Sequence, residues 1–197
     1  MPTGEEVRAR SSVCYDGHAG NGLRLIFTIT LFLSSALLFL VQPMVAKMVL
    51  PRFGGTPMVW SGSILFFQAV LLLGYLYAHL SGRWLRPRVQ VIVHLVLMAG
   101  ALLTLPIAIP AGLGALGSGS PLGPLMASLA LGVGLVFFGL SAGAPMIQGW
   151  FARTSDPHAR DPYFLYAASN VGSMLALIAY PTLVEPRLTL LEQLSLI

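Results

Sequence analysis

Ionic side chains are scarce in this chain. Charged residues fill 9% of its 197 positions, where an ordinary soluble domain carries roughly 25%. A chain of this length can bury a core, but so few charges cannot clothe a water-facing surface. Cysteine is almost absent. The single Cys14 excludes an intramolecular disulfide and has no metal-type spacing around it. No apolar run precedes Ser12-Val13-Cys14, so it does not read as a lipoprotein acceptor. Acids number 7, and none lies deep inside an apolar run, which removes the intramembrane carboxylate that a proton-coupled transporter usually needs. A Ser-His-Asp set, HExxH, a P-loop and clustered metal ligands are missing too. No catalytic, metal or cofactor site is expected in this chain.

What is present is oil. Hydrophobic residues make up 56% of the chain. A membrane-spanning helix needs about 20 mostly apolar residues rising 1.5 Å each, and five stretches qualify: residues 24–50, 59–80, 89–109, 122–150 and 163–184. The expected fold class is all-α, a polytopic transmembrane helix bundle occupying residues 23–187. Residues 1–22 read as a polar tail. No small-residue cleavage site follows the first apolar run, which ends in Val41-Gln42-Pro43-Met44, so that run reads as a retained helix and not a signal peptide. A sixth apolar run occupies residues 188–197. Ten helical residues reach only about 15 Å, half a bilayer, so the chain reads as the N-terminal part of something longer.

The eleven basic residues are distributed unevenly. Arg8, Arg10, Arg24, Arg83, Arg86, Arg88, Arg153 and Arg160 fall in segments on one side, while Lys47, Arg52 and Arg187 fall on the other. The positive-inside rule then places the N-terminus in the cytoplasm. The same scatter between apolar runs argues against nucleic acid as a partner, despite the +4 charge. The partner composition calls for is the lipid bilayer. An Ala, Gly, Leu and Arg bias points to a bacterial inner membrane.

The connections carry turn chemistry. Pro51-Arg52-Phe53-Gly54-Gly55-Thr56-Pro57 predicts a turn with glycine where φ is positive. Asp161-Pro162 predicts a helix start with Asp161 as the cap. Trp60, Tyr75, Tyr77, Trp84, Trp150 and Tyr163 fall near the expected interfaces, as in an aromatic belt. Gly112-Leu113-Gly114-Ala115-Leu116-Gly117 matches GxGxxG literally, but lacks the preceding strand and the acid about 20 residues on that a dinucleotide site needs. It reads as an outer loop.

Two sets of residues inside the spans stand out. Ser128, Gly132, Gly139 and Gly143 follow one helical face, and Ala168, Gly172 and Ala176 follow another; small residues let helices approach closely in lipid. The polar set is Ser34, Ser35, Gln42, Lys47, Gln68, His94, Gln148, Ser169, Asn170 and Ser173, with Tyr166 on the face of Ser169, Asn170 and Ser173. Such groups bond between helices or line a wet path. As a candidate substrate pathway we single out Gln42, Lys47, Gln68, Tyr166, Ser169, Asn170 and Ser173. Lys47 either snorkels to the interface or faces the bundle as an anion contact. His79 and His94 read as interfacial. Glu185 beside Arg187 reads as a local ion pair.

Three stretches carry a resemblance. Leu40-Val41-Gln42-Pro43-Met44-Val45-Ala46-Lys47-Met48-Val49-Leu50-Pro51-Arg52-Phe53-Gly54-Gly55 resembles the first helix and loop of bacterial membrane proteins of the spermidine synthase-like family, whose membrane part is related to the major facilitator superfamily. Ala144-Pro145-Met146-Ile147-Gln148-Gly149-Trp150-Phe151 and Asp161-Pro162-Tyr163-Phe164-Leu165-Tyr166-Ala167-Ala168-Ser169-Asn170-Val171-Gly172-Ser173 are similar to further stretches of it. The likeness runs over roughly residues 23–193. It implies a membrane half followed by a soluble aminopropyltransferase-like domain that binds decarboxylated S-adenosylmethionine and a polyamine. None of that domain's motifs occurs here, and the loop between Gly74 and Arg88 lacks the acid of a facilitator signature. The function so implied is an N-terminal membrane module that anchors the missing C-terminal domain and binds or moves a small polar, cationic or polyamine-like solute. The alternatives are half of a facilitator-like transporter, or a structural anchor and assembly module.

Overall fold

Backbone amides buried in hydrocarbon must pair within their own segment, so an apolar chain is driven into helices. The computed structural model describes residues 4–107 and 120–188, with side chains from residue 21 onward, and holds no strand among them. Residues 108–119, most of the glycine-rich outer loop, and residues 189–197 of the sixth run fall outside the described residues.

Helix α1 is Gly4–Phe53, with its apolar part at Asn21–Phe53. Its helical backbone thus begins within the segment expected to be a polar tail. Helix α2 is Pro57–Trp84, α3 is Pro87–Leu102, α4 is Leu122–Phe151 and α5 is Tyr163–Arg187. Four of them, α1, α2, α4 and α5, are long and apolar enough to cross a membrane. Within α4 a π-helical turn occupies Ala130–Gly134, and within α5 another occupies Tyr180–Val184.

Helix α3 differs from expectation. Its 16 residues rise about 24 Å, short of the roughly 30 Å hydrocarbon thickness. The apolar pattern runs on past Leu102, but the backbone turns. The Thr104 amide and hydroxyl both donate to the Ala101 carbonyl, at 3.1 and 2.7 Å, and Pro106 has no N–H with which to continue a helix. Ile107 then folds back, 1% exposed, into the main core. Hydropathy reports burial there, not helix.

The turn from α1 to α2 follows the expected chemistry. Gly54 has φ +84°, a conformation natural to glycine. The Thr56 side chain accepts from the Val59 amide and Pro57 sits at the first helical position. The start of α5 does not. Asp161 makes no cap; Pro162 occupies that position at φ −85°, ψ 52°, and no side chain bonds the first turn.

The helices pack as two parallel pairs around α4. Along α1 and α5, Arg24 meets Asp156 just before α5, Ser35 meets Ser169 and Lys47 meets Glu185, so both helices run the same way in register. Along α2 and α4, Gly62 abuts Leu122 and Leu125, and Gly74 abuts Ser141. Helix α4 is the centre: 56% of its apolar window is buried, against 17% for α5. It runs antiparallel to α1, with Gly143 on Ser34 and Phe151 edge-on to Phe27. It also runs antiparallel to α3, with Gly139 on Leu97 and Met98. One core joins Val41, Val45 and Val49 of α1 to Phe66 and Phe67 of α2 and Phe137 of α4. A smaller one, with Leu31, Phe151 and Leu165, closes the end that carries Arg24.

Two crossings leave no room for a methyl group. A Cβ on Gly172 would lie 2.5 Å from the Phe32 carbonyl oxygen, and one on Gly74 would lie 1.9 Å from Ser141 Oγ and 3.1 Å from the Ala142 amide. Backbone does not yield as a side chain does, so the α1–α5 spacing depends on Gly172. We expect Gly172→Ala to cost about 1–3 kcal/mol through overpacking. Gly149→Ala, with nothing within 4 Å, should stay within about 0.5 kcal/mol of neutral. Thermal unfolding in detergent, followed by circular dichroism, measures both.

Candidate functional site

Polar groups in the bundle sort into three places: a groove with a flanking stripe, a buried relay, and the two ends. The groove is a cavity of about 240 Å³ lined by Gln42, Pro43 and Ala46 of α1, by Trp60, Ser63, Ile64, Phe67 and Gln68 of α2, and by Leu177 of α5. Gln42 and Gln68 thus line one cavity, although 26 positions separate them in sequence. Each lies eleven residues from its end of the α1–α2 turn, roughly 16 Å along its helix, near mid-membrane depth.

Helix α5 continues this polar face away from the groove. Tyr166, Asn170, Ser173 and Leu177 recur every three or four residues and share one side of the helix. Leu177 ends the series inside the groove. Tyr166 and Asn170 are exposed, Ser173 is half-buried, and the Ser173 hydroxyl donates to the Asn170 carbonyl at 2.9 Å. Helix α2 mirrors the arrangement. Ser61, Gln68, Tyr75 and His79 fall within about 20° of a common direction on a helical wheel, and all four are exposed. Of the residues proposed for a pathway, Ser169 turns elsewhere: its hydroxyl pairs with Ser35 at 2.7 Å, inside the α1–α5 contact.

The small-residue faces are used within this bundle. Gly139 and Gly143 meet α3 and α1, and Gly172 meets α1. Gly132 and Ala176 are buried and Ala168 is half-buried. Ser128 is wholly buried, and its hydroxyl has no partner among the described residues.

The buried relay escaped the sequence reading. Trp150 Nε1 donates to Gln90 Oε1 at 3.0 Å, Gln90 Nε2 donates to Ser81 Oγ at 3.1 Å, and Ser81 Oγ donates to the Ala78 carbonyl at 3.1 Å. The chain of donors joins α4, α3 and α2. His94, expected at an interface, is buried beside it, edge-on to Trp150 and stacked near Tyr77. Gln90 lies in the first turn of an apolar helix, and nothing in its sequence neighbourhood marks a partner for it. Only the α2–α3 turn, which folds α3 back along α2, brings Ser81 to it.

The two ends are fastened by ions. Arg24 Nε donates to Asp156 Oδ2 at 2.7 Å, and the Asp156 side chain is 2% exposed. The His158 amide donates to the other oxygen at 2.8 Å. At the opposite end Lys47 pairs with Glu185, its ammonium 5.9 Å from the centre of the Tyr180 ring. Lys47 therefore neither snorkels alone nor stands ready for an anion. Glu185 takes Lys47 and not its neighbour Arg187, because the parallel α1 delivers the ammonium from the side.

No family model, no curated protein and no solved structure matches the chain. Its class rests on the fold: a helical membrane protein with a bundle built around α4.

The hydrogen bond from Arg24, followed by that from the His158 amide, holds the Asp156 carboxyl below the usual carboxylate range against the opposing effect of burial. A depressed folded-state value means the stabilisation is complete above the unfolded value, near 4, and is lost as pH falls through the folded one. Asp156→Asn should therefore melt below the wild type at neutral pH. The gap should close as the pH drops below about 4. Melting curves in detergent from pH 7 to pH 3 test this; a gap that does not change with pH contradicts it.

Proposed function

We propose that the chain is the N-terminal membrane module of a larger, spermidine synthase-like membrane protein. In this reading it sits in a bacterial inner membrane with the arginine-rich end in the cytoplasm. It anchors a soluble domain and offers a polar face to a small polar or cationic solute of the polyamine class. The observation that carries the solute part is the shared groove of Gln42 and Gln68 at mid-depth, continued along α5 by Ser173, Asn170 and Tyr166. Exposed amides facing lipid tails would be left unpaired at a cost of at least 1–3 kcal/mol each. Large apolar side chains exposed around it, among them Ile64, Leu65, Leu72, Met174 and Ile178, suit lipid contact. The polar face therefore borders a wet cavity or the remainder of the larger protein. Amide and hydroxyl oxygens with an aromatic ring suit an ammonium group. With no carboxylate on this face among the described residues, the affinity is modest and not set by ion pairing.

A structural anchor is the second reading. It is favoured by the glycine crossings of α1, α3 and α4, which serve the bundle itself.

Reconstituted vesicles containing the full chain and labelled spermidine discriminate between the two. Saturable binding should fall roughly tenfold or more in a Gln42→Leu, Gln68→Leu double variant that keeps its helical content, because each amide contributes a hydrogen bond to a charged group. Equal binding by the variant, or none by the wild type, leaves the anchor reading.

A further inference from the structure

A second concavity lies further along α2, between it and α4. It is a groove of about 470 Å³ running along α2 past Leu73, Leu76, Leu80, Trp84 and Leu85, with Phe138 of α4 contributing to its wall. Its size falls among ligand sites of roughly 300–1,000 Å³. Its lining is almost wholly apolar, so it suits neither a solute nor an ion. Its length is the informative quantity. From Leu73 to Trp84 is eleven residues of helix, roughly 16 Å, about half of a 30 Å hydrocarbon layer. The groove has the depth of one leaflet.

Its mouth has the opposite character. Trp84 is 73% exposed, as an interfacial ring is. Arg83 adjoins Trp84, Arg86 adjoins Leu85, and Arg88 follows two residues on; all three are exposed. Arg153 closes on the same place, its Nη2 donating to the Gly82 carbonyl at 2.9 Å. The described Asp156 of this end is held by Arg24, and among the described residues no acid pairs with Arg83, Arg86 or Arg88. Among the described residues, positive charge therefore crowns an acyl-length apolar slot.

We propose that this groove is a binding site for one anionic phospholipid, its acyl chain along α2 and its phosphate at Arg83 and Arg86. The occupant follows from charge complementarity at the rim and from the one-leaflet length of the slot. A free phosphate would have no use for the apolar trough, and a zwitterionic lipid would offset its phosphate's gain by bringing a second cation beside the arginines. The bound lipid also covers the exposed flank of α2 near the Gln90 relay, so it supports the α2–α3 turn. This site is independent of the solute face, which lies on α1, α2 and α5 around Gln68.

Native mass spectrometry of the full chain, delipidated and then offered equal phosphatidylglycerol and phosphatidylcholine of the same chain length, tests the site. One phosphatidylglycerol per chain should be retained preferentially. Each surface arginine is worth about fivefold, so Arg83→Gln with Arg86→Gln should lower the preference roughly thirtyfold. Leu76→Trp, which fills the slot and leaves the arginines in place, should abolish retention of either lipid at the same step. Should a variant fail to fold, inorganic phosphate as competitor against the wild type gives the deciding measurement: release of the lipid by millimolar phosphate means a headgroup-only site and overturns the proposal. Equal retention of the two lipids by the wild type, or a preference that survives both the arginine and the Leu76 changes, overturns it as well.

Discussion

An amide left unpaired in hydrocarbon has no water to turn to, and every feature of this bundle is arranged around that fact. Helices satisfy the backbone locally, but they also remove the hydrophobic effect as a reason for helices to meet, since lipid tails are as apolar as leucine. What remains is close contact and the pairing of polar side chains. The chain uses both. Gly172 lies against the Phe32 carbonyl and Gly74 against Ser141, while Ser35 with Ser169 and the Trp150, Gln90 and Ser81 relay supply hydrogen bonds between helices. Large apolar side chains fill what is left, as in the edge-on stack of Phe67 and Phe137 at 4.8 Å.

The outcome is a division of surfaces. One side of α2 holds the relay and the leaflet-deep groove; another holds Ser61, Gln68, Tyr75 and His79. A helix buried on all sides would have no polar exposed face, and one facing only lipid would have no amide at mid-depth. Helix α2 is neither, which sets the solute reading and the lipid reading on different flanks of the same rod. The π-helical turn at Ala130–Gly134 gives α4 a comparable versatility. Leu129 before it and Phe137 after it both serve the main core, while Gly139 and Gly143 turn toward α3 and α1.

The helices were legible in the sequence because length and hydropathy decide them. So was the Gly54 turn, where only one residue type fits easily. The end of α3 was not, because Leu103, Leu105 and Ile107 keep the apolar pattern while Thr104 and Pro106 change the backbone. Single polar residues could be identified from the chain, but their partners could not. Gln42 with Gln68, Glu185 with Lys47, and Gln90 with both Ser81 and Trp150 are products of which helices run parallel, and a linear pattern holds no signal for that. Asn170 and Tyr166 share a face by spacing alone, so that part of the site was readable. That Ser169 leaves it for Ser35 was not.

The laced pair of α1 and α5 has a consequence for how the protein is made. Arg24 and Asp156 are 132 residues apart, and Ser35 and Ser169 are 134 apart. At a synthesis rate of roughly 5–20 residues per second, α1 emerges from the ribosome about 7–26 s before its partner exists. During that interval its hydroxyls, its arginine and its lysine must be sheltered by the insertion machinery or by the lipid headgroups. Helix α1 thus waits through the making of α2, α3 and α4 before it reaches its final neighbour α5.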